Sequence, residues 1–269
     1  MAELDDDPET AERALADFWT AYTEHSERRL GFAVKHTRET WEAFRSVRRL
    51  PVLDAHPGGS AGGRAVAGVL DQPGGLGLPL SALGPAVLEV PAEPAAYLEG
   101  SSKQTLRRKI RKAEKAGLKT RPVEDPRERR QLLEIANAAE QAHDDATYRV
   151  ARPDNDDLLD HDLWLVVEDD VAQPVLLSVL PVDGRWATLR YFRTLGSGPA
   201  HSDARYLATA EVVSALAARG VRWLLDTEHP GSQTNGIRHF QRMVGFRYRR
   251  VRRHGRAARP SLGRRGQGS

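Results

Sequence analysis

The sequence predicts an α/β chain of the α+β kind: a mixed sheet flanked by helices, preceded by a helical and glycine- and proline-rich segment. Three observations predict it. From residue 118 onward the apolar pattern reads β, α, a short second α, three β, α, β, α, β. A glycine loop, Thr194-Leu195-Gly196-Ser197-Gly198-Pro199, falls between the fourth of these strands and a helix. The next strand, 221–226, is a short apolar run suited to a buried position in the sheet.

Taken in order, the chain opens with helical patterns around Ala14, Leu15, Phe18, Trp19 and Tyr22 and around Trp41, Phe44 and Val47, which places these aromatics in a core. Residues 51–94 are punctuated by Gly58-Gly59, Gly62-Gly63 and Gly74-Gly75, with short strands expected over 65–70 and 86–90. Residues 1–97 are therefore set apart as a segment of their own, a degenerate subdomain or a cap over the acceptor site of the larger unit beyond residue 97. A capping-box pattern, Ser101-Ser102-Lys103-Gln104, opens a helix to Ala116 with Leu106, Ile110 and Ala113 on one face and Gly117 as its stop.

A strand over 118–124 leads to a helix with Asp125 as N-cap, Pro126 in the first turn and Leu132, Leu133, Ile135, Ala136 and Ala139 inward. The acidic run 154–162 lacks the spacing of a calcium loop and reads as surface, so no metal is expected. Strands over 163–168, 173–182 and 185–193 turn at Asp169-Asp170 and Asp183-Gly184. A helix capped by Ser202 or Asp203 then buries Ala204, Ala208, Val212, Ala215 and Leu216 and closes at Arg219 and Gly220. The 221–226 strand, a helix from Asn235 stopped by Gly245, and a strand over 246–251 complete a unit spanning 98–253. Residues 254–269, rich in Gly, Pro, Ser and Arg, are expected to form a disordered basic tail.

A glycine loop followed by a helix start is an anion site, because glycine lets the backbone approach and the free amides point at the ligand. Arg193-Thr194-Leu195-Gly196-Ser197-Gly198 fits R-x-x-G-x-G, and on this motif the chain resembles the GNAT acyltransferase superfamily, whose pyrophosphate-binding signature has that form. The segment from Asn235 to Phe246 is similar to the fourth helix of that family. The resemblance implies coenzyme A or phosphopantetheine as acyl carrier, bound by Arg193, Leu195, Gly196, Ser197, Gly198, His201, Arg205 and Asn235. Catalysis would fall to residues at strand ends beside the loop: Tyr191, Asp226, Glu228 and His229. Two positions depart from the family: Pro199 has no amide to donate, and Gln241 stands where many members carry a tyrosine used as general acid.

The basic helix, with seven basic residues over 103–115, also gives residues 98–250 a looser similarity to Fem-type aminoacyltransferases, which use aminoacyl-tRNA. Lysine and arginine number 40, all but six of them arginine, yet the net charge is only +3, so charge matters through the clusters at 103–121 and 247–265. The absence of cysteine excludes disulfides, zinc-thiolate sites and thiol nucleophiles. No run reaches the ~18 apolar residues of a membrane span, and a cytoplasmic enzyme without a membrane partner is expected. The leading expectation is an N-acyltransferase joining an acyl group from acyl-CoA or an acyl-carrier protein to an amine on a small molecule or peptide. The alternatives are a Fem-like transferase using aminoacyl-tRNA and a non-catalytic basic nucleic-acid-binding protein on the same scaffold.

Overall fold

The computed structural model describes residues 7–25, 29–74, 78–146 and 148–255. Three helices come first: α1 (Pro8–Glu24), α2 (Arg29–Lys35) and α3 (Thr37–Arg49). Asp7 caps α1 by accepting from the Glu9 and Thr10 amides, and the helix buries Leu15, Phe18, Trp19 and Tyr22. Phe18, Tyr22 and Phe32 pack ring against ring, as expected of core aromatics. Trp41 departs from the expectation. It is 58 % exposed on the outer face of α3, where Ala43 and Val47 point inward instead.

The strand β1 (Val52–Ala55) is followed by α4 (Ala61–Asp71), where the sequence predicted a strand over 65–70. Val66, Val69 and Leu70 suit a strand by propensity, but Ser60 caps the segment by accepting from the Gly63 amide at 2.8 Å. The glycines are the reason the helix fits. A Cβ at Gly62 would lie 2.0 Å from the Val182 carbonyl oxygen, and one at Gly63 would lie 2.3 Å from that of Gly58. Asp183 ties the two pieces together by accepting from the Gly58 amide and the Ser60 hydroxyl.

Next come β2 (Ala86–Glu89), α5 (Gln104–Lys115), β3 (Lys119–Pro122) and α6 (Pro126–Gln141), the last capped by Asp125 as expected. The capping box before α5 is not made. Ser101–Lys103 form a 3-10 turn, and Lys103, without a side-chain cap bond, precedes the helix. The meander follows as β4 (Leu163–Glu168), β5 (Pro174–Leu180), the two-residue β6 (Val182–Asp183), β7 (Trp186–Thr188) and β8 (Tyr191–Thr194). The chain ends in α7 (Pro199–Ala217), β9 (Trp223–Leu225), α8 (Asn235–Val244), β10 (Phe246–Tyr248) and β11 (Arg250–Arg253). Element order and loop position from residue 118 onward follow the sequence expectation of a mixed sheet flanked by helices.

The pairing is more involved than the order. One sheet runs β3-β4-β5-β8, a second runs β10-β2-β9-β7-β6, and β1 pairs with β11 in parallel. Thus β2, from the first third of the chain, lies between β9 and β10, antiparallel to both. Residues 1–97 are in this respect part of the sheet. Residues 256–269, most of the expected tail, lie outside the described residues.

Among the described residues α7 starts at Pro199 with Gly198 as its cap residue, earlier than the Ser202 or Asp203 cap that the sequence suggested. Asp203 instead sits inside the helix, 4 % exposed, and takes Lys109 at 3.2 Å and Lys112 at 2.6 Å from α5. Burial alone would raise its carboxyl, but these two cations hold it below the usual range. Two of the six basic residues of α5 are therefore spent on this internal carboxylate.

Two glycines of α4 give opposite predictions. Gly62→Ala forces a methyl into the Val182 backbone and should cost about 1–3 kcal/mol or more, the range for overpacking. At Gly68 nothing lies within 4 Å, so Gly68→Ala should stabilise by about 0.5–1 kcal/mol through helix propensity. Urea unfolding of both variants checks this, and equal shifts would rule out close approach as the reason for Gly62.

Candidate active site

The site arises where residues 186–194 change sheets. β7 runs parallel to β9, and the Leu189 amide still donates to the Leu225 carbonyl at 2.9 Å. Two residues later Tyr191 is paired with Val179 of β5. Past Leu189 the strands diverge, with Arg190 to Thr194 on one side and Asp226 to His229 on the other.

Asp226 closes this divergence at the end of β9. Its amide donates to the Ala86 carbonyl of β2, and its side chain is buried at 6 % exposure. Gln233 donates to its Oδ2 at 2.9 Å, Gln241 donates to the same oxygen, and the Glu228 amide approaches Oδ1 at 3.4 Å. Burial, reinforced by the negative charge of Glu228, pushes the Asp226 carboxyl up to about 7 against the pull of these donors. Glu228, two residues further on, is exposed. The protein around it raises its carboxyl as well, with Arg193 opposing.

Gln241 thus holds the carboxyl from α8, and its amide has no acidic proton to give. Gln233 is wholly buried, and its Oε1 has no hydrogen-bond partner. It comes from the loop after Pro230-Gly231, where no periodicity marks it in the sequence. Its only signal is its closeness in the chain to Asp226.

The glycine loop lies where the motif places it. Gly198, at a φ of 121°, takes a conformation that a side chain would strain, and the first-turn amides of Ala200 and His201 have no intrahelical acceptor. The His201 ring lies over Gly196, since a Cβ there would come within 2.7 Å of its Nε2. Burial holds this imidazole below its ordinary pKa. Ser197 faces Asp144 at 3.5 Å. Leu195 packs at the edge of the core under α6.

Other predicted residues are engaged elsewhere. Arg193 lies 3.7 Å from Glu140, a buried carboxylate on α6 that also accepts from Asn155. Tyr191 is buried in the α6 core, its hydroxyl raised first by burial and then by Glu140, so the structure does not bring it to Asp226. Arg205 stacks over Phe240 with its guanidinium 5.1 Å from the ring centroid. The ring of His229 packs edge-on against Trp19, and its Nδ1 accepts from the Gly231 amide at 2.9 Å. Asn235 accepts from Arg238 and faces a recess between α1 and α8 that the glycine loop does not line. That recess, of about 420 Å³, reaches Gln241, Ala86 and Tyr248 at its floor.

The raised carboxyl sets a pH dependence. Asp226 stays neutral in the folded protein up to about pH 7 but ionises near 3.8 when unfolded. Its contribution to stability is fully present below the unfolded value and is lost as pH rises through 7. At about 1.4 kcal/mol for each pH unit between the two values, wild type should lose roughly 2–3 kcal/mol more than Asp226→Asn between pH 5 and pH 8. Urea unfolding at the two pH values measures this. Parallel losses would mean that Asp226 is ionised throughout.

No protein-family model matches the chain, and no curated protein sequence matches it. Two solved structures are similar in shape at low identity. One is the C-terminal domain (DUF2156) of a protein assigned as a lysylphosphatidylglycerol synthetase from Agrobacterium fabrum, 18 % identical over 61 % of this chain and 58 % of that one, with a TM-score of 0.44. The other is L-PGS from Bacillus licheniformis, 13 % identical over 65 % of this chain and 61 % of that one, also with a TM-score of 0.44. This chain matches about three fifths of the length of each, and neither carries a Fem-type description. Likeness at this level carries no argument about activity.

Proposed function

We propose that the chain is a GNAT-type acyltransferase that forms an amide by passing an acyl group from a thioester, on coenzyme A or a carrier protein, to an amine. The observation that carries this reading is the divergence of β8 from β9 beside a glycine-capped helix, with Asp226 at its floor. Donor phosphates would lie against Gly196, Ser197, Gly198 and the amides of Ala200 and His201, with the His201 ring as a further donor. Pro199 withholds one amide, so this cradle leans on His201 more than the motif alone implies. The thioester supplies an activated carbonyl carbon.

In the transfer, the amine nitrogen bonds to that carbon as the carbon–sulfur bond breaks. The thiolate leaves with the electron pair and is protonated, and the amine loses its surplus proton to a base. Asp226 and Glu228 are the carboxyls at the strand end suited to take it. An acid titrating near 7 is matched to such a role at neutral pH, while Gln233 and Gln241 orient it.

One observation favours a larger donor as a second reading. Lys103, Arg107, Lys109 and Lys112 are tied to Val244, to Leu98 and Gly100, and to Asp203, whereas Arg108, Arg111 and Lys115 are exposed and make no ion pair among the described residues. Three free cations on one helix suit a polyanion such as a carrier protein or an aminoacyl-tRNA.

Transfer of one acyl group presented on coenzyme A, on carrier protein and on tRNA tests both readings. Asp226→Asn should lower kcat about 10²–10⁴-fold, the usual span for losing a general base, and Gly198→Val should lower transfer while far-UV circular dichroism stays unchanged. Absence of transfer from all three donors would refute the enzyme assignment, and full activity of Asp226→Asn would refute the role of Asp226 as the base. Arg108→Glu with Arg111→Glu should slow only a macromolecular donor, and more so at low salt. Unchanged rates would leave coenzyme A as the donor.

A further inference from the structure

The recess between α1 and α8 carries an inference that rests on the acyltransferase reading and extends it to the acceptor. It holds about 420 Å³, within the range of small-molecule sites and enough for an amino acid or a short peptide. Its walls carry charges of both signs, and most of its arginines and acids divide into pinned and free groups.

The pinned groups build the walls. Arg238 donates to the Trp19 and Pro230 carbonyls, the Thr23 hydroxyl and the Asn235 side chain, which clamps α1 onto the loop before α8. Glu12 lies 3.6 Å from Arg249 and 3.9 Å from Arg247, and burial raises its carboxyl against those cations. The free groups line the opening. Glu9, Arg13 and Asp17 follow one another at four-residue spacing along α1, and Arg242 stands across from them on α8. All four are exposed, and among the described residues none of them makes an ion pair. Behind this mixed rim, the floor residues Gln241 and Ala86 touch Asp226: Gln241 donates to its side chain, as Gln233 does from elsewhere, and the Ala86 carbonyl accepts from its amide.

We infer that this recess binds a small zwitterion, a free amino acid or a short peptide with its ammonium and carboxylate both intact, as the amine acceptor. The carboxylates of Glu9 and Asp17 suit the ammonium, and the guanidiniums of Arg13 and Arg242 suit the carboxylate, which Arg binds in a fixed fork. A simple cation would meet Arg242 and Arg13, and a simple anion would meet Asp17 and Glu9. A ligand carrying both charges satisfies the rim. The acceptor site is then a property of the N-terminal helix, which belongs to the segment outside the GNAT-like element order.

Isothermal titration of the full chain with alanine and with dialanine, in the absence of any donor, tests the inference. Binding of either one is expected, and which of them binds separates an amino-acid acceptor from a peptide acceptor. Amidating the carboxylate or acetylating the ammonium should weaken binding at least tenfold, as should Arg242→Glu or Asp17→Lys. If neither zwitterion binds, or if N-acetyl-alaninamide binds as well as dialanine, the inference is wrong. Binding without transfer from any donor would overturn the enzyme reading and leave the site standing. Transfer to an amine whose KM is untouched by Arg242→Glu would overturn the site and leave the enzyme reading standing.

Discussion

A strand end offers its backbone groups to one neighbour on each side, and residues 186–194 serve two sheets with one run of chain. Up to Leu189 they belong to β9; from Tyr191 they belong to β5. The rest of the molecule accommodates this switch. The helix α7 starts directly after the second half, Asp226 ends the strand abandoned by the first, and β2 fills the other side of β9. A sheet that stayed continuous here would leave no gap for a reacting group.

The carboxyl at that gap shows how polar groups survive inside a protein. Asp226 is desolvated, which costs free energy for the charged form, and two glutamine amides return part of it by donating to one oxygen. The balance leaves an acid poised near neutrality, neither a permanent anion nor a permanent neutral group.

The order of elements was legible because each has a local signature: periodicity for α1, α3 and α6, apolar runs bounded by turn residues for β4 and β5, Asp125-Pro126 as a helix start, and Gly245 as a left-handed stop. The failures share a cause. Residues 65–70, with two valines and a leucine, read as a strand, and only the backbone of Val182, more than a hundred residues away, shows why the helix that forms there needs glycine at 62. The Asp203 side chain looks like a cap in sequence, and its two lysine partners on α5 make it a brace. Asp226 was visible as an acid at a strand end, but Gln233 and Gln241 become meaningful only once the chain has folded back on it. Nor does a one-dimensional pattern separate the internal cations of α5 from the free ones.

The placement of β2 between β9 and β10, with β1 beside β11, also governs how the chain acquires its structure. Val52 pairs with Arg250 across roughly 200 residues of chain, a separation for which loop-closure entropy must be met before the contact returns anything. During synthesis the segment before residue 98 waits with unpaired strand edges until β9, β10 and β11 emerge, so these sheets complete only once residue 253 has been made. Such edges are templates for pairing with other chains. The species most open to such pairing is therefore the incomplete chain, in which β1 and β2 have been made and their partner strands have not.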